Sequence, residues 1–310
     1  MIDTLPTNGP FDLAATLNSG QVFHWNEHSH NSHSGFLGTI GDAPTFLAQI
    51  GDNQIFTIQQ GLFDESTGLD RNAENRPHDP IGSIHRTNPV ASYLALDQAD
   101  ADIRATFPQN DPFFDSALNY CPGLRILHQP MWECLATFIT SSLKQVAHIR
   151  DISLTLRRNH GTRHEFLGEE LFAYPTPAAL AEAGEAKLRA CALGYRAKSL
   201  HLTAAAIADG SIDLAELDSI EDHAEAVKFL CQFHGVGEKI ANCALLFGAN
   251  RLGAFPIDVW IERVLRQGYR KRVKGAKLQR WAEGYFGPYA GYAQQFLFHY
   301  GRVGGLGKNS

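Results

Sequence analysis

One feature limits the folds open to this chain more than any other: the period of its apolar pattern changes. Between residues 20 and 60 the apolar residues come in short runs, Gly20–Trp25, Phe36–Ile40, Thr45–Ile50 and Gln54–Gln59, rich in Phe, Ile and Thr. Gly41-Asp42 and Gly51-Asp52 punctuate them, and runs of this length between Gly-Asp turns predict an antiparallel sheet. From about residue 90 the apolar spacing becomes i, i+3, i+4, which is helical. Pro130 opens a helix over MWECLATFITSSL. Further helices are predicted over Val146–Arg158, Pro177–Ala183, Glu185–Leu193, Lys198–Asp209, Glu221–Phe233, Glu238–Phe247, Val259–Gln267, Lys277–Phe286 and Gly291–Tyr300. The expected fold class is α+β: a small N-terminal antiparallel β-sheet domain with connecting helices over 1–115, then an all-α body over 116–310. The polar stretch 61–88 reads as a long loop, and no internal repeat is visible.

At 310 residues, 44% hydrophobic and 19% charged, the composition is that of a globular chain and excludes collagen or bulk disorder. No run approaches the roughly 20 apolar residues of a membrane helix. Met1–Asn8 lacks a basic and an apolar region, so no secretory signal is expected. The five cysteines, Cys121, Cys134, Cys191, Cys231 and Cys243, are widely spaced without a CxxC, which argues against a disulfide framework and for reduced thiols. His24, His28, His30 and His33 surround a Ser/Asn-rich loop. With no recurring carboxylate or cysteine partner, they read as a solvated hairpin tip rather than a metal site.

Net charge is −6, which taken alone argues against a polyanionic partner. It is unevenly placed: residues 225–310 carry 13 Lys+Arg and 5 Asp+Glu, a net +8, which leaves −14 on the rest. A basic final third suits a phosphate-facing surface. For Arg270-Lys271-Arg272-Val273-Lys274 the alternative is a solvated helix face.

The segment from Leu230 to Trp260 carries the chemistry. A helix ends near His234, Gly235-Val236-Gly237 makes a tight turn, and a second helix begins at Glu238-Lys239. Two glycines around one apolar residue allow positive φ and close backbone approach. The valine can plug between the helices while free N–H groups at the second helix's start face a phosphate. This is a helix–hairpin–helix pattern; a plain helical turn is the alternative. Lys239 lies in the first helical turn, where the helix dipole opposes its positive charge. Beside apolar walls its amine could act as a nucleophile; otherwise it is a phosphate-binding surface lysine. Asp258, in Pro256-Ile257-Asp258, is placed to cap the next helix. That role needs no chemistry, yet a cap also holds a carboxylate ionised and fixed, as a developing sugar oxocarbenium ion requires.

Lys239 in a GVGxK hairpin together with Asp258 in a PxDVW turn resembles the helix–hairpin–helix DNA glycosylases, specifically the 8-oxoguanine DNA glycosylase/AP lyase group. Four more ordered matches extend the resemblance from about Phe11 to Phe298. They are Gly20-Gln21-Val22-Phe23-His24-Trp25, Trp132 to Ser142, Leu193-Gly194-Tyr195-Arg196-Ala197-Lys198, and Phe286-Gly287-Pro288-Tyr289-Ala290-Gly291-Tyr292-Ala293-Gln294. The resemblance implies base-excision repair: a damaged purine nucleotide flips out of the duplex, Lys239 attacks C1′ and forms a Schiff base, Asp258 steadies the cationic sugar, and β-elimination nicks the strand. It further implies a base pocket of Gly20, Cys243, Gln294 and Phe298, with the Gly20 carbonyl accepting the N7–H that 8-oxoguanine has and guanine lacks. Tyr195 would wedge into the vacated stack and Arg196 would contact the opposite cytosine. Gly235, Val236 and Gly237 would meet the phosphates. A structural cation on the carbonyls of Cys231, Phe233 and Val236 would fit beside them. No other cofactor is expected. The partner would be double-stranded DNA, with no membrane, and the chain a monomer, placed in the cytoplasm or nucleoid if bacterial.

The chain departs from the group's pattern in places. Leu143 stands where an asparagine normally fills the gap, His148 where an arginine reads the opposite base, and Trp260 where a histidine follows the aspartate. His299-Tyr300-Gly301 lacks the group's terminal aspartate. Glycosylases for alkylated bases lack the hairpin lysine, so Lys239 argues against them. The four closely spaced cysteines of the iron–sulfur glycosylases are missing beyond Cys243. Two other readings stay open: a glycosylase for another oxidised or alkylated purine, and a non-catalytic DNA-binding protein.

Overall fold

The computed structural model describes residues 1–60, 88–141 and 145–304. Strands β1 (Ile2–Pro6), β2 (Asn26–His30), β3 (His33–Ile40), β4 (Ala43–Gln49) and β5 (Gln54–Gln59) form one antiparallel sheet in the order β1-β5-β4-β3-β2. The histidine-rich stretch is the β2–β3 hairpin, so part of the expected loop is strand. Side chains alternate between faces along a strand, and the register shows the consequence. Phe36 pairs with Leu47 while Leu37 pairs with Phe46. Phe36, Leu47, Ile55 and Leu5 pack with Trp25, Val90 and Leu94 on one face. Leu37, Phe46 and Ala48 pack on the other against Phe166 and Leu171. Those two residues belong to a small hairpin, β6 (Arg163–Phe166) and β7 (Glu169–Phe172), that the helical reading of this region missed.

Gly20–Trp25, expected as a strand, joins no sheet. Side chains hold it instead. The buried Gln21 amide donates to the carbonyls of Thr16 and Arg125 and to Ser19 Oγ, and its oxygen accepts the Leu127 N–H. Its own carbonyl accepts from Gln129. A fully satisfied buried amide fixes a segment as firmly as a ladder does. It ties Gly20 to the strap at 125–129 that leads into the helical body.

In that body, helix Met131–Ser141 is buried from Glu133 to Ser141. Its Glu133 receives the Arg157 guanidinium, which also donates to Thr39 Oγ1 at 2.9 Å and the Phe172 carbonyl at 3.1 Å. Burial pushes the Glu133 carboxyl up and Arg157 opposes that shift. His24 lies between them, Nε2 2.8 Å from the Thr39 carbonyl and Nδ1 3.4 Å from Glu133, with its pKa pulled well down by burial and then by Arg157. This polar cluster joins sheet, hairpin and helices. Among the described residues no helix is long and apolar enough to cross a membrane.

Candidate active site

Helix His223–Leu230 ends at Cys231, and helix Glu238–Phe247 starts after the Gly237 N-cap. The turn between them closes through Val236 N–H donating to the Phe233 carbonyl at 3.0 Å. Val236 is buried, the plug that the hairpin pattern predicts. Only one of the two glycines uses positive φ. Gly235 has φ +79°, and a Cβ there would lie 2.3 Å from Ser199 Oγ. Gly237 is extended at φ −109°, with open space around it. The expectation that both glycines serve backbone freedom is therefore corrected. Gly237 leaves the helix N-terminus bare, with free N–H groups exposed.

Lys239 sits in the first turn of that helix, half-buried, with Nζ 5.2 Å from the centre of the Phe138 ring. One turn further on is Cys243, on the same helix face. The Cys243 thiol is pushed up to about 11, by burial first, while the Lys239 charge and a hydrogen bond to Lys239 pull it back. It stays a neutral thiol at neutral pH. Asp258 caps helix Val259–Tyr269, its Oδ1 accepting the Ile261 N–H at 2.8 Å. Burial raises its carboxyl above the ordinary value. The Ile261 N–H, the Lys239 charge and the Trp260 N–H oppose burial in that order. The expectation that capping alone keeps this carboxylate ionised is incomplete, because burial outweighs the cap. Amine, thiol and carboxylate thus share one partly desolvated site. An amine beside a fixed carboxylate can attack an electrophilic carbon and hold the resulting cation.

A second group lies on the C-terminal helix Ala290–His299 and on the segment held by Gln21. Gly20 has φ +92°, and a Cβ there would meet Phe298 Cε1 at 3.2 Å. Gln294 is buried one turn before Phe298, and its side-chain oxygen has no partner among the described residues. Phe23 joins the two groups: three residues beyond Gly20, it makes an edge contact at 6.3 Å with Phe138, the ring beneath Lys239.

The remaining sites fall as follows. Tyr195, expected as a wedge, is 66% exposed, and Arg196 folds back on it, its guanidinium carbon 4.4 Å from the ring centre. Arg196 also donates to the Tyr195 hydroxyl. Its head is thus a brace for the tyrosine as it stands, rather than extended toward an opposite base. His148 is half-buried and engaged in the first turn of helix Val146–His160. Trp260 is half-buried under the Arg263 guanidinium at 5.0 Å. Leu143 lies outside the described residues. In the basic run Lys271 stacks on Trp281 at 4.1 Å and Lys274 pairs with Glu262 at 3.7 Å, while Arg272 stays exposed. Among the described residues no group of three or more His, Cys, Asp or Glu side chains could hold a metal ion.

Two site residues escaped sequence reasoning. Phe138 looks like any core position of an amphipathic helix, and nothing marks it as the wall behind the amine. Arg302 donates to the Asn18 carbonyl at 2.9 Å and lies beside Gly20 and Phe298. It lies in a π turn over Tyr300–Gly304 that extends the last helix, a shift of register that the i, i+3, i+4 spacing does not announce.

Residues 4–135 match the family model described as 8-oxoguanine DNA glycosylase, N-terminal domain. A protein of Arabidopsis thaliana named N-glycosylase/DNA lyase OGG1 is 30% identical over 316 residues, spanning 94% of this chain and 78% of that protein. Among solved structures, MBOgg1 in complex with a low-affinity DNA ligand superposes with a TM-score of 0.84 at 27% identity, covering 99% of this chain and 96% of that one. The Clostridium acetobutylicum 8-oxoguanine glycosylase/lyase, in complex with double-stranded DNA containing cytosine opposite 8-oxoG, gives 0.81 at 25% identity, covering 98% of each. With similarity along nearly its whole length to a named member, and the hairpin lysine and capping aspartate in one site, this chain belongs to the 8-oxoguanine DNA glycosylase family of N-glycosylase/DNA lyases.

Proposed function

We propose that this chain is a bifunctional base-excision enzyme that releases 8-oxoguanine from duplex DNA and then nicks the strand. The observation that carries the reading is the placement of the Lys239 amine over the Phe138 ring, in the first turn of the hairpin's second helix, together with a capping carboxylate at Asp258. The glycosidic carbon is unreachable inside a base stack, so the nucleotide must be everted. Tyr195 fills the space it leaves. The everted purine lies on Phe298 and against Cys243. The Gly20 carbonyl accepts its N7–H and Gln294 reads its Watson–Crick edge; the unpartnered Gln294 oxygen awaits such a donor. The Lys239 amine forms a bond to C1′ as the C1′–N9 bond breaks with its electron pair going to the base. Asp258 balances the positive sugar during that exchange. The amine then opens the sugar to a Schiff base, and loss of the C2′ proton expels the 3′ phosphate.

The free N–H groups at Gly237–Lys239 and the basic final third hold the backbone phosphates. The carbonyls of Cys231, Phe233 and Val236 are oxygen donors within one turn, a set that suits a hard cation. Bound there, a cation supplies only positive charge for the phosphate. The test is single-turnover base release from duplexes carrying 8-oxoguanine or 7-methylguanine, each opposite every base. The account expects release of 8-oxoguanine followed by strand cleavage. Release of the alkylated base alone, or tight binding without release, contradicts it.

A further inference from the structure

Gln294, Phe298 and Arg302 are spaced four residues apart, so they share one stripe of the C-terminal helix and its π turn. Arg302 closes the far end of that stripe. Its guanidinium carbon is 5.6 Å from the Phe298 ring centre, and its Nη1 would lie 3.6 Å from a Cβ on Gly20. One of its nitrogens is committed to the Asn18 carbonyl, and its Nε is buried with no partner among the described residues. Burial lowers its pKa, yet a guanidinium remains protonated at neutral pH. Arg302 is half-buried, and a buried N–H left unpaired on a cation beside a base-stacking ring is costly unless a ligand supplies an acceptor.

The geometry gives that acceptor a place. Gln294 and Arg302 stand at opposite ends of the stripe, with Phe298 between them. A purine stacked on Phe298 with its Watson–Crick edge toward Gln294 turns its five-membered ring toward Gly20 and Arg302. That ring carries the N7–H and, next to it, the C8 oxygen.

We infer that Arg302 is a specificity-determining residue that donates to the C8 oxygen of the everted oxopurine and stabilises the base as it departs. This rests on the proposed 8-oxoguanine excision. When Lys239 bonds to C1′ and the C1′–N9 bond breaks, the electron pair passes to N9 and delocalises onto the C8 oxygen. A fixed cation there is worth more in the transition state than in the ground state. Guanine has no C8 oxygen and leaves the guanidinium unpaired, so Arg302 and the Gly20 carbonyl together read both halves of the N7–H/C8=O pattern.

The experiment compares wild type, Arg302→Lys and Arg302→Met in two reactions: single-turnover release of 8-oxoguanine, and borohydride trapping on a preformed abasic duplex, which needs no base. A third measurement is the binding preference for a 2′-fluoro-8-oxoguanine duplex over its 2′-fluoroguanine counterpart, since neither analogue is cleaved. Arg302→Met should slow base release about tenfold or more, the worth of a hydrogen bond to a charged group. It should also erase most of the binding preference and leave abasic trapping within about twofold of wild type; Arg302→Lys should recover part of the loss. Unchanged release in an active enzyme overturns the inference alone, as does an equal fall in release and trapping, which marks a structural role. A wild-type chain that does not release 8-oxoguanine overturns the proposed function and this inference with it.

Discussion

At the scale of single residues, Asp258 carries two loads that pull in opposite directions. Its Oδ1 caps a helix, which favours the charged form, and its burial disfavours that form by more. The excision step needs the anion. Base release by the wild type should therefore fall as pH drops through a value above the ordinary 3.8. Asp258→Asn should remove that acid limb and slow release about a hundredfold or more, while duplex affinity stays nearly unchanged. A parallel loss of affinity and melting temperature would reduce Asp258 to a cap. The sign for stability is the reverse: the folded state keeps this proton longer than the unfolded chain, so the residue's contribution falls as pH rises through the same window. Lys239 and Asp258 were legible because a lysine after GVG and an acid before a helix are local patterns. Phe138 was not, since its role comes from what the fold lays over it.

At the scale of elements, the hairpin is a rigid turn built on one unusual residue. Gly235→Ala forces a side chain into positive φ and against Ser199, a strain of about 1–2 kcal/mol before any repacking. It should lower the melting temperature by several degrees and weaken duplex binding. Gly237→Ala meets open space, so it should leave the melting temperature unchanged and, on the proposed phosphate contact at this helix start, weaken binding only. Melting and duplex titration of the two variants separate these outcomes; equal melting losses would contradict the assigned backbone roles. The helices flanking the hairpin were readable from their period, and Glu238–Phe247 falls on its predicted bounds. The segment Gly20–Trp25 was misread as a strand because a short run holding Val22, Phe23 and Trp25 has the composition of one. Its position depends on Gln21 meeting the Arg125 carbonyl, the Leu127 N–H and the Gln129 amide, all more than a hundred residues away in the chain, and no local pattern carries that information.

At the scale of the whole molecule, the fold brings together groups that lie far apart in the chain. The sheet-side segment presents Gly20 and Phe23, the central helix Phe138, the hairpin Lys239, and the last helix Gln294 and Phe298. The buried Glu133–Arg157 pair fastens the sheet to the helices, and removing one member would strand a buried charge at about 3–5 kcal/mol. The change of period after residue 60 announced a sheet followed by helices, and the ordered motifs announced the chemistry. The small β6–β7 hairpin and the π turn that delivers Arg302 stayed hidden, one because four-residue strands barely express a period, the other because it breaks the helical one. The central claim is that one amine becomes covalently joined to the damaged nucleotide. Borohydride reduction of the enzyme on an 8-oxoguanine duplex, followed by peptide mapping, tests it directly. The account predicts an adduct on Lys239 that Lys239→Gln abolishes; an adduct on another residue, or base release with no adduct, would contradict it.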